Sequence, residues 1–197
     1  MTRNDSFAPL AEACRVGVAA LRDARVPFVL AGSFAAWARG GPQPGKDLDF
    51  MVRPQHADAA LAALVEAGMR AERPPEEWLV KAFHGDTMID IIFRPAGVDM
   101  DDAVFERAEL IAVLAVETPV MALEDVLITK LMALNEHSLD YGSLLGIVRA
   151  CREQIDWTGL RRRTSSSPYA RAFFALSAEL GIGPAQPQPG RGRMEAV

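Results

Sequence analysis

Apolar residues at Leu10, Cys14, Val18 and Leu21 recur at helical spacing until Pro27 ends the pattern, which predicts an amphipathic helix over residues 7–25. The apolar run 27–31 then reads as a short strand. It ends at Gly32-Ser33, after which Phe34, Ala35, Ala36 and Trp37 look helical up to Gly40-Gly41. A Gly- and Pro-rich loop leads into residues 47–52 (DLDFMV), whose alternation of acidic and apolar positions predicts a strand with two distinct faces. Helical spacing returns over residues 56–67, with Gly68 as its stop.

Residues 79–93 contain two strand-like arms around His84-Gly85-Asp86 and predict a hairpin, with Asp90 on its second arm. The β-branched run 110–116 predicts one more strand, and Pro119 a fresh start before a helix over residues 121–135. Further helices are predicted over 141–154 and 168–180. Residues 184–197 are rich in Pro, Gln, Gly and Arg and nearly devoid of apolar side chains, so they are expected to stay mobile. This order predicts an α/β or α+β core over residues 1–120, a C-terminal helical region over 121–183 and a disordered tail over 184–197.

Composition narrows the function classes. Half of the 197 residues are hydrophobic, enough for one substantial core, yet no stretch is long and apolar enough to span a membrane. The polar start is unlike a secretory signal, and a cytoplasmic protein is expected. Cys14 and Cys151 lack metal-type spacing and are expected to be buried thiols. The formal net charge of -5 argues against binding long DNA, which draws affinity from Lys and Arg neutralising phosphates.

Three features carry chemistry. On a strand, Asp47 and Asp49 project from one face, and two like charges in so small a volume favour a hard cation, magnesium or manganese. Asp90 lies in the apolar run 88–93, where an unpaired charge is costly, and a shared metal would account for it. Gly32-Ser33 marks a strand-to-helix turn, where backbone amides attract phosphate and where Ser33 could cap the helix. Each piece also has an ordinary reading: a solvated strand face, an edge residue, a plain helix start. Together they suit in-line nucleotidyl transfer from a nucleoside triphosphate.

With LAGSFAAWARG around Gly32 and Ser33, GKDLDFMV around Asp47 and Asp49, and TMIDIIF around Asp90, the chain resembles the minimal nucleotidyltransferases of the polymerase-beta superfamily. The resemblance implies a mixed sheet flanked by helices. It also implies that Asp47 and Asp49 bind metal, that Asp90 completes the site and can assist deprotonation of a hydroxyl acceptor, and that Gly32 and Ser33 hold the phosphates. Residues 118–134 are similar to the post-core helix of abortive-infection nucleotidyltransferase toxins and uncharacterised bacterial relatives, which makes Lys130 a candidate triphosphate ligand and transfer RNA, a partner protein or an antitoxin candidate partners. A lysine on an amphipathic helix ordinarily points to solvent, which is the competing reading of Lys130. Relatives often carry Arg or His before the Asp-x-Asp; here PQPGK leaves Lys46 and Arg39 as the nearby cations.

The remaining candidates have plainer readings. Trp37, Trp78 and Trp157 are expected to pack rather than stack on a base, and His56, His84 and His137 share no ligand spacing. Arg161, Arg162 and Arg163 are either a solvated helix end or a phosphate-binding patch for an RNA acceptor. A fold member that binds nucleotide without turnover is the non-enzymatic alternative.

Overall fold

The computed structural model describes residues 7–184. Helix α1 (Phe7–Asp23) leads into β1 (Phe28–Leu30), α2 (Gly32–Ala38), β2 (Leu48–Val52) and α3 (Ala57–Glu66). Then come β3 (Arg70–Glu72), β4 (Leu79–His84), β5 (Thr87–Ile92), α4 (Asp102–Glu106), β6 (Glu109–Val113) and β7 (Val116–Val120). Helices α5 (Leu123–Met132), α6 (Tyr141–Cys151), α7 (Trp157–Arg163) and α8 (Pro168–Glu179) follow. The strands form one mixed sheet in the order β3-β4-β5-β2-β1-β7-β6. Its centre is parallel where β2 meets β5 and β1 meets β7, and antiparallel between β1 and β2. The expected mixed α/β sheet with helices is therefore present.

The two faces of the sheet differ because strand side chains alternate. Leu48, Phe50, Ile89 and Ile91 are all fully buried on one face. Helices α1 and α3 cover it, and a Cβ on Gly17 of α1 would stand 2.9 Å from the Phe50 ring. On the other face β5 alternates with half-buried Met88, Asp90 and Ile92, so this face is only partly covered. Helix α5 stands across a cleft from this face, with Thr129 and Lys130 lining that cleft opposite Asp49, Met51 and Ile92, and is buried at Leu123, Asp125, Val126, Leu127, Ile128, Thr129 and Leu131. A helix apolar on nearly every side belongs inside a protein. Its far side packs on α7 and α8.

Several boundaries shift from the sequence reading. Residues 110–116 are not one strand: β6 and β7 pair antiparallel, with Leu114-Ala115 as a two-residue turn. Both turn residues have positive φ, 52° and 65°, the conformation that usually selects Asn-Gly, and its absence hides the hairpin. Pro119 consequently sits inside β7, and α5 starts at Leu123. Strand β3 and helix α4 carry too few residues to show a periodicity. Cys14 and Cys151 are free and buried, as expected. The tail expectation concerns residues outside the described ones, apart from Pro184, whose carbonyl accepts a hydrogen bond from Arg161 at 2.7 Å.

Candidate active site

Asp49 is the centre of the candidate site. It lies on the open face of β2, and its register partner across the parallel pair is Asp90 of β5. Asp90 in turn faces Lys81 of β4. One row of three strands thus carries Lys81, Asp90 and Asp49 side by side. Asp47 precedes β2 and is exposed, so the strand begins one residue later than the sequence reading placed it.

Gly32 follows β1 at φ +58° and is pressed against this row. A Cβ there would fall 1.6 Å from Asp49 Oδ2, an overlap no side chain survives, so only glycine allows the chain to turn into α2 against the carboxylate. The N–H of Ala31 donates to the Asp49 carbonyl at 2.9 Å and fixes the approach. Ser33 does not cap α2: the N-cap position is Ala31, with no side-chain cap, and Ser33 sits one turn position inside the helix. Its side lines a separate cleft with Pro42, Gln43, Ser143 and Gly146.

Lys130 closes the site from α5. Because α5 is buried on nearly every side, its lysine does not project from a solvated face. It lines two adjoining clefts, one toward Ser138, Asp140 and Ser143 and one of about 200 Å³ shared with Gly32, Asp49, Met51, Trp78 and Ile92. Burial pushes the Asp49 carboxyl up to about 6; nearby Lys130 and Lys81 oppose the rise, and the Asp90 and Asp47 carboxylates add to it. The folded chain therefore binds a proton at Asp49 more tightly than the unfolded chain does. Stability falls as pH rises from about 4 through 6, and the full penalty is present above 6. Asp49→Asn should accordingly stabilise the ligand-free protein by about 3 kcal/mol near neutrality. The gain should vanish by about pH 4. Urea denaturation at both pH values checks this, and a gain independent of pH would exclude the electrostatic cause.

Lys81 was not singled out from the sequence. Its Nζ lies 2.7 Å from Asp90 Oδ1 and 3.4 Å from Met88 Sδ. A shared metal is the expected account of Asp90 in its apolar strand; the structure shows that a lysine also stands beside it. The signal was present in the hairpin: His84 pairs with Thr87 across Gly85-Asp86, so counting back three residues and forward three sets Lys81 opposite Asp90. Among the described residues no group of three His, Cys, Asp or Glu side chains is gathered closely enough to hold a metal. Asp47 and Asp49 still suit magnesium, which keeps several waters and takes one or two carboxylates alongside substrate phosphates.

Other candidates are accounted for by packing. Arg39 donates to the carbonyls of Met121 and Val120 at 2.8 and 3.1 Å, so it braces α2 against the end of β7. Arg163 pairs with buried Asp125 but stays exposed, as does Arg162, while half-buried Arg161 lies over the Phe174 ring. Trp37 packs edge-on to Phe7 and Phe34, and the Trp157 indole donates to the Arg152 carbonyl. Trp78 is different: it is 43% exposed. His137 is exposed beside Glu136, and His56 and His84 are half-buried and apart.

No family model matches the chain, and no curated protein matches it in sequence. Solved structures do. A protein from H. pylori assigned as a nucleotidyltransferase superposes with a TM-score of 0.55 at 16% identity, over 92% of this chain and 83% of its own. The antibiotic-resistance factor ANT(2'')-Ia superposes with a TM-score of 0.50 at 16% identity, over 87% of this chain and 95% of its own. With the mixed sheet, the glycine turn and the Asp49 row in place, the chain is a nucleotidyltransferase-fold protein.

Proposed function

We propose that the chain transfers a nucleotidyl group from a nucleoside triphosphate to a hydroxyl acceptor and releases pyrophosphate. The observation that carries this reading is the contact between Gly32 and Asp49, with Lys130 lining the same cleft. A glycine turn with a cation beside it suits phosphate, and a carboxylate pair beside that turn suits the reacting end of the triphosphate. Asp47 and Asp49 would hold magnesium or manganese, which when bound neutralises charge on the phosphates. Gly32 and Lys130 would hold the triphosphate, whereas the Ser33 side chain lines a separate cleft. Asp90 is the candidate base for the acceptor hydroxyl, with Lys81 fixing the orientation of its carboxylate.

A small hydroxyl compound fits as acceptor better than transfer RNA, a partner protein or an antitoxin. Arg161 and Arg163 are each engaged by a partner within the fold, which reduces the basic charge free to meet an RNA. Asp49→Asn should abolish magnesium-dependent ATP binding in calorimetry; unchanged affinity would sink the assignment. Incubation with labelled triphosphate and either cellular RNA, lysate protein or small hydroxyl compounds then reads the acceptor from where label appears.

The Lys81–Asp90 ion pair also favours a second reading, a nucleotide-binding module in which the candidate base is already engaged. That reading expects ATP binding without turnover. Pyrophosphate release with any acceptor refutes it.

A further inference from the structure

Trp78 stands apart from the other exposed apolar side chains. Among the described residues the large hydrophobics exposed to water are Val65, Trp78, Leu110, Leu139, Leu176 and Leu180, so Trp78 is the aromatic one. The other two tryptophans are engaged with neighbouring rings or a backbone carbonyl. Trp78 immediately precedes β4, and its carbonyl is held by the N–H groups of Phe93 and Arg94 at 3.0 and 3.3 Å. The backbone beneath the ring is thereby anchored to the end of β5, while the ring itself remains open.

The cleft that Trp78 lines is the one that contains Gly32, Asp49 and Lys130. Beyond these groups its walls are mainly apolar, formed by Met51, Ile92, Pro95 and Ala96. The site therefore joins a charged end, where phosphate fits, to an apolar end with an exposed indole. A nucleoside triphosphate has the same two-ended chemistry. Aromatic stacking tolerates every base because every base has a π-face, whereas discrimination between bases requires polar groups at the base edges. Apart from Asp49 and Lys130, the polar side-chain groups lining the cleft are the Trp78 indole N–H and the Thr129 hydroxyl, and the latter already donates to the Val126 carbonyl at 2.9 Å.

We propose that Trp78 is the stacking platform for the nucleobase of the donor triphosphate, and that this pocket accepts purines and pyrimidines with little discrimination. The inference rests on the nucleotidyl-transfer reading of the Asp49 site and adds to it the residue that binds the nucleoside end. Trp78 contributes binding and orientation of the donor; the chemistry stays with the Asp49 row.

Calorimetry on the full chain with magnesium, using ATP and inorganic tripolyphosphate as separate probes, tests it. Trp78→Ala should weaken ATP by roughly tenfold or more and leave tripolyphosphate unchanged, while Trp78→Phe should recover most of the ATP affinity. ATP, GTP, CTP and UTP should bind the parent chain within about tenfold of one another. Nucleotide should also quench tryptophan fluorescence in the parent but not in Trp78→Phe. Equal ATP affinity in Trp78→Ala and parent overturns the stacking role, as does an equal loss of both probes or a raised acceptor KM with ATP affinity intact. If Asp49→Asn still abolishes ATP binding in those cases, the transferase reading stands alone; if the parent binds neither probe, both readings fall.

Discussion

Gly32→Ala will disable the candidate site while leaving the chain folded. The backbone at Gly32 has φ +58°, a region that costs a residue with a Cβ about 1–2 kcal/mol. The new Cβ would also lie 1.6 Å from Asp49 Oδ2 and 2.6 Å from its Cγ, so the carboxylate must leave its position. Misplacing a reacting group by about an ångström costs roughly a hundredfold in rate. The expected result is a stability loss of about 2 kcal/mol, measured by urea denaturation, with pyrophosphate release reduced by at least two orders of magnitude. Gly68→Ala is the control. Gly68 has φ +89° and nothing within 4 Å of its missing Cβ, so that variant should show backbone strain alone and full activity. Wild-type ATP affinity in Gly32→Ala would refute the role given to the Gly32–Asp49 contact.

The second large effect concerns Asp125, which is fully buried in α5. Arg107, just past α4, reaches its Oδ2 with Nε at 2.9 Å and with the outer guanidinium nitrogen at 2.8 Å, and Arg163 at the end of α7 reaches Oδ1 at 2.6 Å. The carboxylate has no access to water, whereas the two arginine side chains are 43% and 36% exposed. Removing the counter-charges should therefore cost more than removing the acid. The double variant Arg107→Ala/Arg163→Ala strands a buried charge and should lose about 3–5 kcal/mol. Asp125→Ala leaves guanidiniums that can turn to solvent and should lose about 2 kcal/mol. Either arginine variant alone should cost less than half of the double, because the remaining partner still neutralises the carboxylate. Denaturant unfolding of the four variants gives the order directly. If Asp125→Ala proves the most destabilising, the asymmetry of burial does not govern this cluster.

Much of the site was legible because its parts are local. Gly32-Ser33 at the end of an apolar run and the alternation around Asp47 and Asp49 are patterns within a few residues, and strand geometry fixes the face of Asp49 without a partner, although Asp47 falls just before the strand. Asp90 needed more. Its place beside Asp49 follows from the pairing of β2 with β5, two segments forty residues apart in the chain. The resemblance implied that Asp90 completes the site, but the strand pairing that brings it there is a tertiary fact. Lys130 shows the opposite difficulty: helix spacing cannot tell a solvated lysine from one that opens into a cleft, and the answer depends on α7 and α8 covering the far side of α5. Trp78 was read as a packing residue because sequence carries no information on which ring finds neighbours. Its exposure follows from the position of its turn at the rim of the cleft.

The sequence by itself determined the alternation of strands and helices, the glycine turn and the acidic strand, because backbone preferences and side-chain periodicity act within a few residues of chain. The tertiary structure alone decided the company each charge keeps. It set Lys81 against Asp90, brought Arg107 and Arg163 to Asp125, and left Trp78 open beside Asp49. The physical reason is that a buried or half-buried charge is stabilised by whichever group the fold brings within a few ångströms, and distance in space between remote segments is fixed only when the sheet and its covering helices close.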